Sequence, residues 1–368
     1  MAEVDCIVVG GGVMGLLTAR ALAELGQQVV LVERGTVGCE ASWAGGGIIS
    51  PLYPWRNSPA VTALARWSQG FYPRLADELR VQTGIDPEVY TTGLFWLDLP
   101  DEGEALAWAA QHDQVLQGVA GERLYQAVPG LGDGYRHALH TAGLANVRNP
   151  RLLKALRAAL HLHANVRLCE GAEVSGFIVR QGRVLGVRTA EGELHANQVV
   201  LAAGAWSALL LAHLGIGLPV EPVKGQMILY KGPPGQLPVM VLAKGRYAIP
   251  RRDGHILVGS TLEFEHFDKT PTSSAKTSLQ SSAVELLPAL ARSQVVGHWA
   301  GLRPGSPEGI PFIGPVPGFS GLWLNCGHYR NGLVLAPASC RLLVDLMMGG
   351  PPIVDAQAYA PTGRISSI

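Results

Sequence analysis

Val8-Val9-Gly10-Gly11-Gly12-Val13-Met14-Gly15 is an apolar run that ends in glycines and reopens at once as an apolar helix. That pattern is the turn of a βαβ unit. Val4 to Val9 reads as a buried strand, and Val13 to Leu25 as a helix with Met14, Leu17, Ala21 and Leu25 at helical spacing. Gly26 stops the helix, and Val29 to Val32 is a second buried strand ending at Glu33. In Gly10-x-Gly12-x-x-Gly15 one glycine turns the chain, one lets backbone approach a pyrophosphate, and one packs helix on strand. The helix N-terminus presents free N–H groups to the phosphates. Glu33 stands where a carboxylate accepts from a ribose 2′-hydroxyl and repels a 2′-phosphate, which argues against NADP.

The 368 residues correspond to about two domains at the usual ~150 residues each. Lys plus Arg (29) equals Asp plus Glu (29), so the chain lacks the positive field of a nucleic-acid binder or a polybasic membrane-surface protein. With 48% apolar and 16% charged residues it is not a disordered chain. Its 46 glycines, without a collagen-like period, imply many sharp turns and close approaches. Cys6, Cys39, Cys169, Cys326 and Cys340 are scattered and form no C-x-x-C pair. With no secretory leader ahead of them, they read as reduced thiols of a cytoplasmic protein. No membrane span is expected, since no run of 18 consecutive apolar residues occurs.

Further along, Ala60 to Leu79 and Gly103 to Gln117 read as helices and Gly93 to Leu99 as a strand. Asn149 and Pro150 read as cap and first position of a helix over Arg151 to Leu162. Ala172 to Val179, Val184 to Thr189 and Leu194 to Leu201 form an antiparallel meander. Val223 to Gly259 breaks into short strands, Ser273 to Leu286 is a helix, Val295 to Leu302 a strand, and Asn331 to Met348 a helix.

The glycine fingerprint fits NAD and FAD equally. Glycine-rich stretches recur at Ala41 to Ile48, Leu201 to Ser207 and Gly327 to Gly332, which suits a long flavin gripped from remote segments. A catalytic His or Lys with a carboxylate partner, the mark of a nicotinamide dehydrogenase, is not evident. Gly327-His328-Tyr329-Arg330-Asn331-Gly332-Leu333 opens the last helix and is either an ordinary glycine entry or a dipole aimed at a ring carbonyl. Arg303, after the apolar run ending at Leu302, is either a surface charge or a planar fork for a carboxylate. His161 with His163, and His137 with His140, lack the spacing and partners of a metal site, so no metal is expected. Cys326 reads as small and buried more readily than as a covalent flavin tether.

Six segments in order carry a resemblance: Val8 to Gly15, Ala41-Ser42-Trp43-Ala44-Gly45-Gly46-Gly47, Val223-Lys224-Gly225-Gln226, Tyr247-Ala248-Ile249-Pro250-Arg251, Trp299-Ala300-Gly301-Leu302-Arg303-Pro304 and Gly327 to Gly332. In these the chain resembles the FAD-dependent D-amino acid oxidase family, and within it the bacterial glycine oxidases of thiamine biosynthesis. The resemblance implies an α/β plus α+β fold. A Rossmann-like FAD domain (1–85, 145–220, 300–368) would join a substrate domain on an antiparallel sheet (86–144, 221–299). It implies that non-covalent FAD is held by Gly10, Gly12, Val13, Met14, Gly15, Glu33, Arg34, Ala41, Ser42, Gly46, Gly47, Ile48 and Val174. His328, Tyr329, Arg330, Asn331, Gly332, Leu333 and Val334 would hold the ring end.

Arg303, Arg330 and Tyr247 would face the substrate. Leu262 would form part of the pocket wall, where the glycine oxidase pattern has methionine. The implied reaction is oxidative deamination of glycine, sarcosine or small D-amino acids, with hydride transfer to flavin N5. Oxygen as acceptor would give the keto acid, ammonia or amine, and hydrogen peroxide. A homotetramer is implied as well. Other readings are a sarcosine or D-amino acid oxidase, a quinone-linked dehydrogenase, and a non-catalytic flavin-binding subunit of an amine oxidase complex.

Overall fold

The computed structural model describes residues 4–368; the first three residues of the leading segment lie outside the described residues. Strands Cys6–Val9 and Val29–Val32 are buried along their whole length and pair in parallel, Cys6 with Val29 through Val9 with Val32. They lie inside a six-stranded sheet ordered Phe312–Pro315, Leu322–Cys326, Gln198–Leu201, Cys6–Val9, Val29–Val32 and Val166–Cys169. Only the outermost strand, Phe312–Pro315, runs antiparallel to its neighbour. Such uninterrupted apolar strands require cover on both faces. Helices Val13–Glu24, Pro59–Thr83, Asn149–Leu160 and Gly332–Met348 cover one face. The antiparallel meander Val174–Arg180, Arg183–Thr189 and Gly192–His195 covers the other.

The glycine turn is shaped by close approach. Gly10 sits at φ 109°, and a Cβ there would lie 2.5 Å from the Ala202 carbonyl oxygen. A Cβ on Gly15 would overlap the Gly10 carbonyl oxygen, so the first turn of the helix rests directly on the chain that precedes it.

Two local expectations are corrected. Leu194 to Leu201 is two strands: Gly192–His195 completes the meander, and Gln198–Leu201 turns away to pair in parallel with Cys6–Val9. The chain changes sheets at Asn197, whose N–H bonds to the Val4 carbonyl. Asn149 is the first residue of its helix and caps nothing, because its amide donates instead to the carbonyls of Ser42 and Gly45. Tyr329–Met348 has the length and mean hydropathy (1.3) to cross a membrane, although 67% of that window is buried inside the protein, where it forms core.

The second unit is built on an eight-stranded sheet. Its order is Gln294–Gly305, Glu221–Lys231, His255–Gly259, Arg246–Pro250, Met240–Ala243, Leu94–Leu97, His137–Thr141 and Gln117–Ala120. All pairs are antiparallel except Met240–Ala243 with Leu94–Leu97. The strand Gln294–Gly305 pairs with Glu221–Lys231 along its whole length, Val223 opposite Arg303. A boundary at 299/300 would cut that ladder.

Candidate active site

A cavity of about 960 Å³ runs between the two units. At one end it is lined by Glu33, Arg34, Val174 and Trp206, in the middle by Gly10, Gly12, Val13, Met14 and Ser42, and at the other end by Gly46 to Ile48 and His328 to Val334. Ala41, Tyr247, Arg303 and Arg330 line it too. Two expected residues do not. Gly15 lies behind the surface, where its role is the helix–strand contact described above. Leu262 is 47% exposed outside the cavity. Thr261 turns inward, its hydroxyl accepting from the Gln226 N–H, and sends its successor to solvent.

The chain presets this cavity with its own hydrogen bonds. The Glu33 carboxylate accepts from the N–H groups of Gly11 (2.7 Å) and Gly35 (2.9 Å), tying the end of the second strand to the glycine turn. The Ser42 hydroxyl accepts from the Val13 N–H at 3.0 Å. Asn149 holds Ser42 and Gly45 from behind, and the buried Arg251 donates to Gly46 O, Val147 O and Asn146 Oδ1. Burial pushes Arg251 down to about 10, still well above neutral pH. At the first end the Arg34 guanidinium lies 3.8 Å over the Trp206 ring, a cation–π contact.

The far corner carries the arginine. Arg303 Nη1 donates to the carbonyls of Lys224 (3.2 Å) and Thr261 (3.3 Å), and Nη2 donates to Ser260 Oγ at 2.7 Å. Burial lowers its pKa, and the like charge of Arg330 adds to that. Tyr247 is buried, its hydroxyl 3.4 Å from Met227 Sδ, a weak partner that leaves the O–H free to re-aim. The lining carboxylates Glu33, Glu40 and Glu173 stand on segments remote in sequence from this corner.

Gly225, in the middle of the strand beside Arg303, was quoted above only within a motif. A Cβ there would overlap the Arg303 guanidinium. A glycine inside a strand marks such an approach. Gly225→Ala is expected to displace the guanidinium and lower kcat/KM about 100-fold, the usual effect of a displacement near 1 Å, with FAD content unchanged. Wild-type kcat/KM in this variant would refute the crowding. Trp206, Asn149, Met227 and Ser260 also line the cavity and went unassigned from sequence. Only Trp206 lay within a stretch flagged for its glycine content.

His328 is 2% exposed, and its Nε2 lies 2.9 Å from Ser339 Oγ. Burial pushes the imidazole down to about 3, so it is neutral in the folded protein. The unfolded chain then binds a proton that the folded one does not, so this contribution is full above pH ~6.5 and falls toward pH 3. His328→Asn is expected to remove a few kcal/mol of the acid destabilisation between these limits. Denaturant titrations at several pH values give the slope, and an unchanged slope would reject the assignment.

An FAD-sized group suits this cavity on internal grounds. Gly10 and Gly12, without side chains, line it at the turn, so backbone can approach a pyrophosphate there. The helix N-terminus at Val13 faces the same space.

The family model for FAD dependent oxidoreductases (DAO) matches residues 5–346. A glycine oxidase of Pseudomonas putida is 66% identical over 359 residues, covering 98% of this chain and 98% of its own length. The bifunctional protein ThiO/ThiG of Nostoc sp. is 31% identical, covering 94% of this chain and 52% of itself. The crystal structure of glycine oxidase from Geobacillus kaustophilus superposes with a TM-score of 0.93 at 30% identity, over 99% of each chain.

Proposed function

From the premise that the chain belongs to the FAD dependent oxidoreductase (DAO) family, we propose that it oxidises glycine and other small amines or amino acids, with oxygen as acceptor. The products are the keto acid, ammonia or amine, and hydrogen peroxide. The observation that carries the reading is the corner itself: a half-buried arginine fixed by carbonyls and a hydroxyl, beside a tyrosine whose O–H meets only a weak thioether acceptor, lining the same cavity as the nucleotide turn. The two Pseudomonas relatives named glycine oxidase, each 66% identical, support it.

Bound FAD supplies the electron-pair acceptor for the substrate α C–H bond. Gly10, Gly12, Val13, Met14, Glu33 and Val174 would hold its nucleotide half, and Gly46 to Ile48 with His328 to Val334 its ring half. Arg303 orients the carboxylate, and Tyr247 hydrogen-bonds the same group. Arg330, exposed at the rim beside Arg303, adds positive field for an incoming anion. Neutral His328 adds no charge to this end. Positioning, and no protein base, is then the main contribution of the corner.

The same reading takes the enzyme to be a cytoplasmic homotetramer whose product feeds the thiazole of thiamine. The unpaired thiols agree with a reducing compartment. The likeness to a bifunctional ThiO/ThiG chain supports the metabolic role.

Anaerobic glycine added to the purified holoenzyme tests the activity. Bleaching of the ~450 nm flavin band that reverses with air, with peroxide formed, supports the oxidase. A band that ignores glycine but bleaches with sarcosine or D-proline moves the substrate. Bleaching that needs a quinone or dye to reverse makes it a dehydrogenase.

A further inference from the structure

Arg303 cannot offer its whole guanidinium to a substrate. Of its five N–H groups, two on Nη1 are committed to the carbonyls of Lys224 and Thr261, and one on Nη2 to Ser260 Oγ. The Nε–H and one Nη2–H remain. The hydroxyl that takes the Nη2 hydrogen lines the cavity itself. Ser260 is 9% exposed, and its Oγ donates to no group among the described residues. A serine oxygen that accepts from a cation still has its own hydrogen to give. Its backbone is pinned as well, since the Ser260 carbonyl accepts from the Arg246 guanidinium.

We propose that Ser260 is a carboxylate-binding residue of the site, fixing the plane of Arg303 through Nη2 and giving its own O–H to the carboxylate that Arg303 receives. The inference rests on the reading of this chain as an amino acid oxidase and deepens it. The ligand class is a small α-amino monocarboxylate, met by Nε–H, Nη2–H and Oγ–H together. A carboxylate accepts through two oxygens with about four lone-pair directions, so it can take all three donors and a fourth from Tyr247. Arginine alone would tolerate a carboxylate that slides along its edge; a hydroxyl bonded to one nitrogen removes that freedom. Backbone position at Ser260 and side-chain position at Arg303 are thereby coupled. Leu262, two residues later, is half exposed and does not line the cavity.

The test uses Ser260→Ala and Ser260→Cys holoenzymes. Cysteine is included because its slightly larger side chain leaves no cavity while its S–H is a weak donor, so it keeps the site filled if alanine impairs folding. Acetate, a carboxylate without an oxidisable amine, is titrated against the visible flavin spectrum, and KM and kcat for glycine are measured in parallel. Loss of one hydrogen bond to a charged group is expected to weaken acetate binding and raise the glycine KM by a common factor of about ten or more. FAD content should stay at wild-type level and kcat should fall far less than KM rises, while Ser260→Thr recovers most of the acetate affinity. Acetate affinity within twofold of wild type in fully flavinylated Ser260→Ala or Ser260→Cys overturns the assignment. So does a parallel loss of FAD and acetate, which marks a merely structural serine. The activity reading fails separately: wild-type enzyme that binds acetate but is not bleached by any amino acid keeps the cradle and loses the reaction.

Discussion

Arg303→Ala is expected to lower kcat/KM for glycine about 100- to 10,000-fold, almost entirely through KM, while FAD stays bound. Two charge-assisted hydrogen bonds to a carboxylate, each of order 1.5–3 kcal/mol, give that range. The variant also orphans the Lys224 and Thr261 carbonyls that now accept from Nη1, so a lower melting temperature should accompany the kinetic loss. Arg303→Lys should recover little, because an ammonium cannot reach two carbonyls, the Ser260 hydroxyl and a carboxylate from one planar group. Steady-state kinetics with flavin quantitation give the result. An unchanged KM for glycine would remove Arg303 from the substrate site.

Glu33→Lys is expected to abolish FAD retention through gel filtration. The carboxylate now satisfies the N–H groups of Gly11 and Gly35 while lying in the cavity wall with only 8% exposure. Lysine accepts from neither, so two amides lose their partners, at a cost of about 1–3 kcal/mol each, within the turn that shapes the nucleotide half. Glu33→Gln keeps one carbonyl acceptor and should retain FAD with reduced affinity. Full stoichiometry in Glu33→Lys would refute the role given to the glycine turn and its acid together.

The βαβ unit was legible because every one of its signals is local: apolar strands, glycines at fixed offsets, an acid at the strand end. The helix Ser273–Leu286 matched its sequence pattern for the same reason. What escaped depends on partners distant in the chain. Asn149 looked like a cap, and only the folded loop at Ser42 to Gly45 shows where its amide goes. Leu262 fell one residue past the inward-facing Thr261, and strand alternation at an irregular edge is not visible without its partner strand. Gly225 and Ser260 carry no signal of their own. Each is defined by the guanidinium of Arg303, which arrives from a strand dozens of residues later.

The second unit reaches across to grip the first through Arg251, and the strand Gln294–Gly305 is paired to its end before the chain returns to the six-stranded sheet. The chain passes between the two sheets several times, the eight-stranded one lying in sequence between strands of the six-stranded one, so no single cleavage separates the two sheets into different fragments. Melting should therefore be cooperative across both units, with one calorimetric transition whose midpoint rises with free FAD, since ligand bound at the seam stabilises both sides at once. Limited proteolysis of the apoprotein should likewise yield either intact chain or small peptides, with no stable half-molecule.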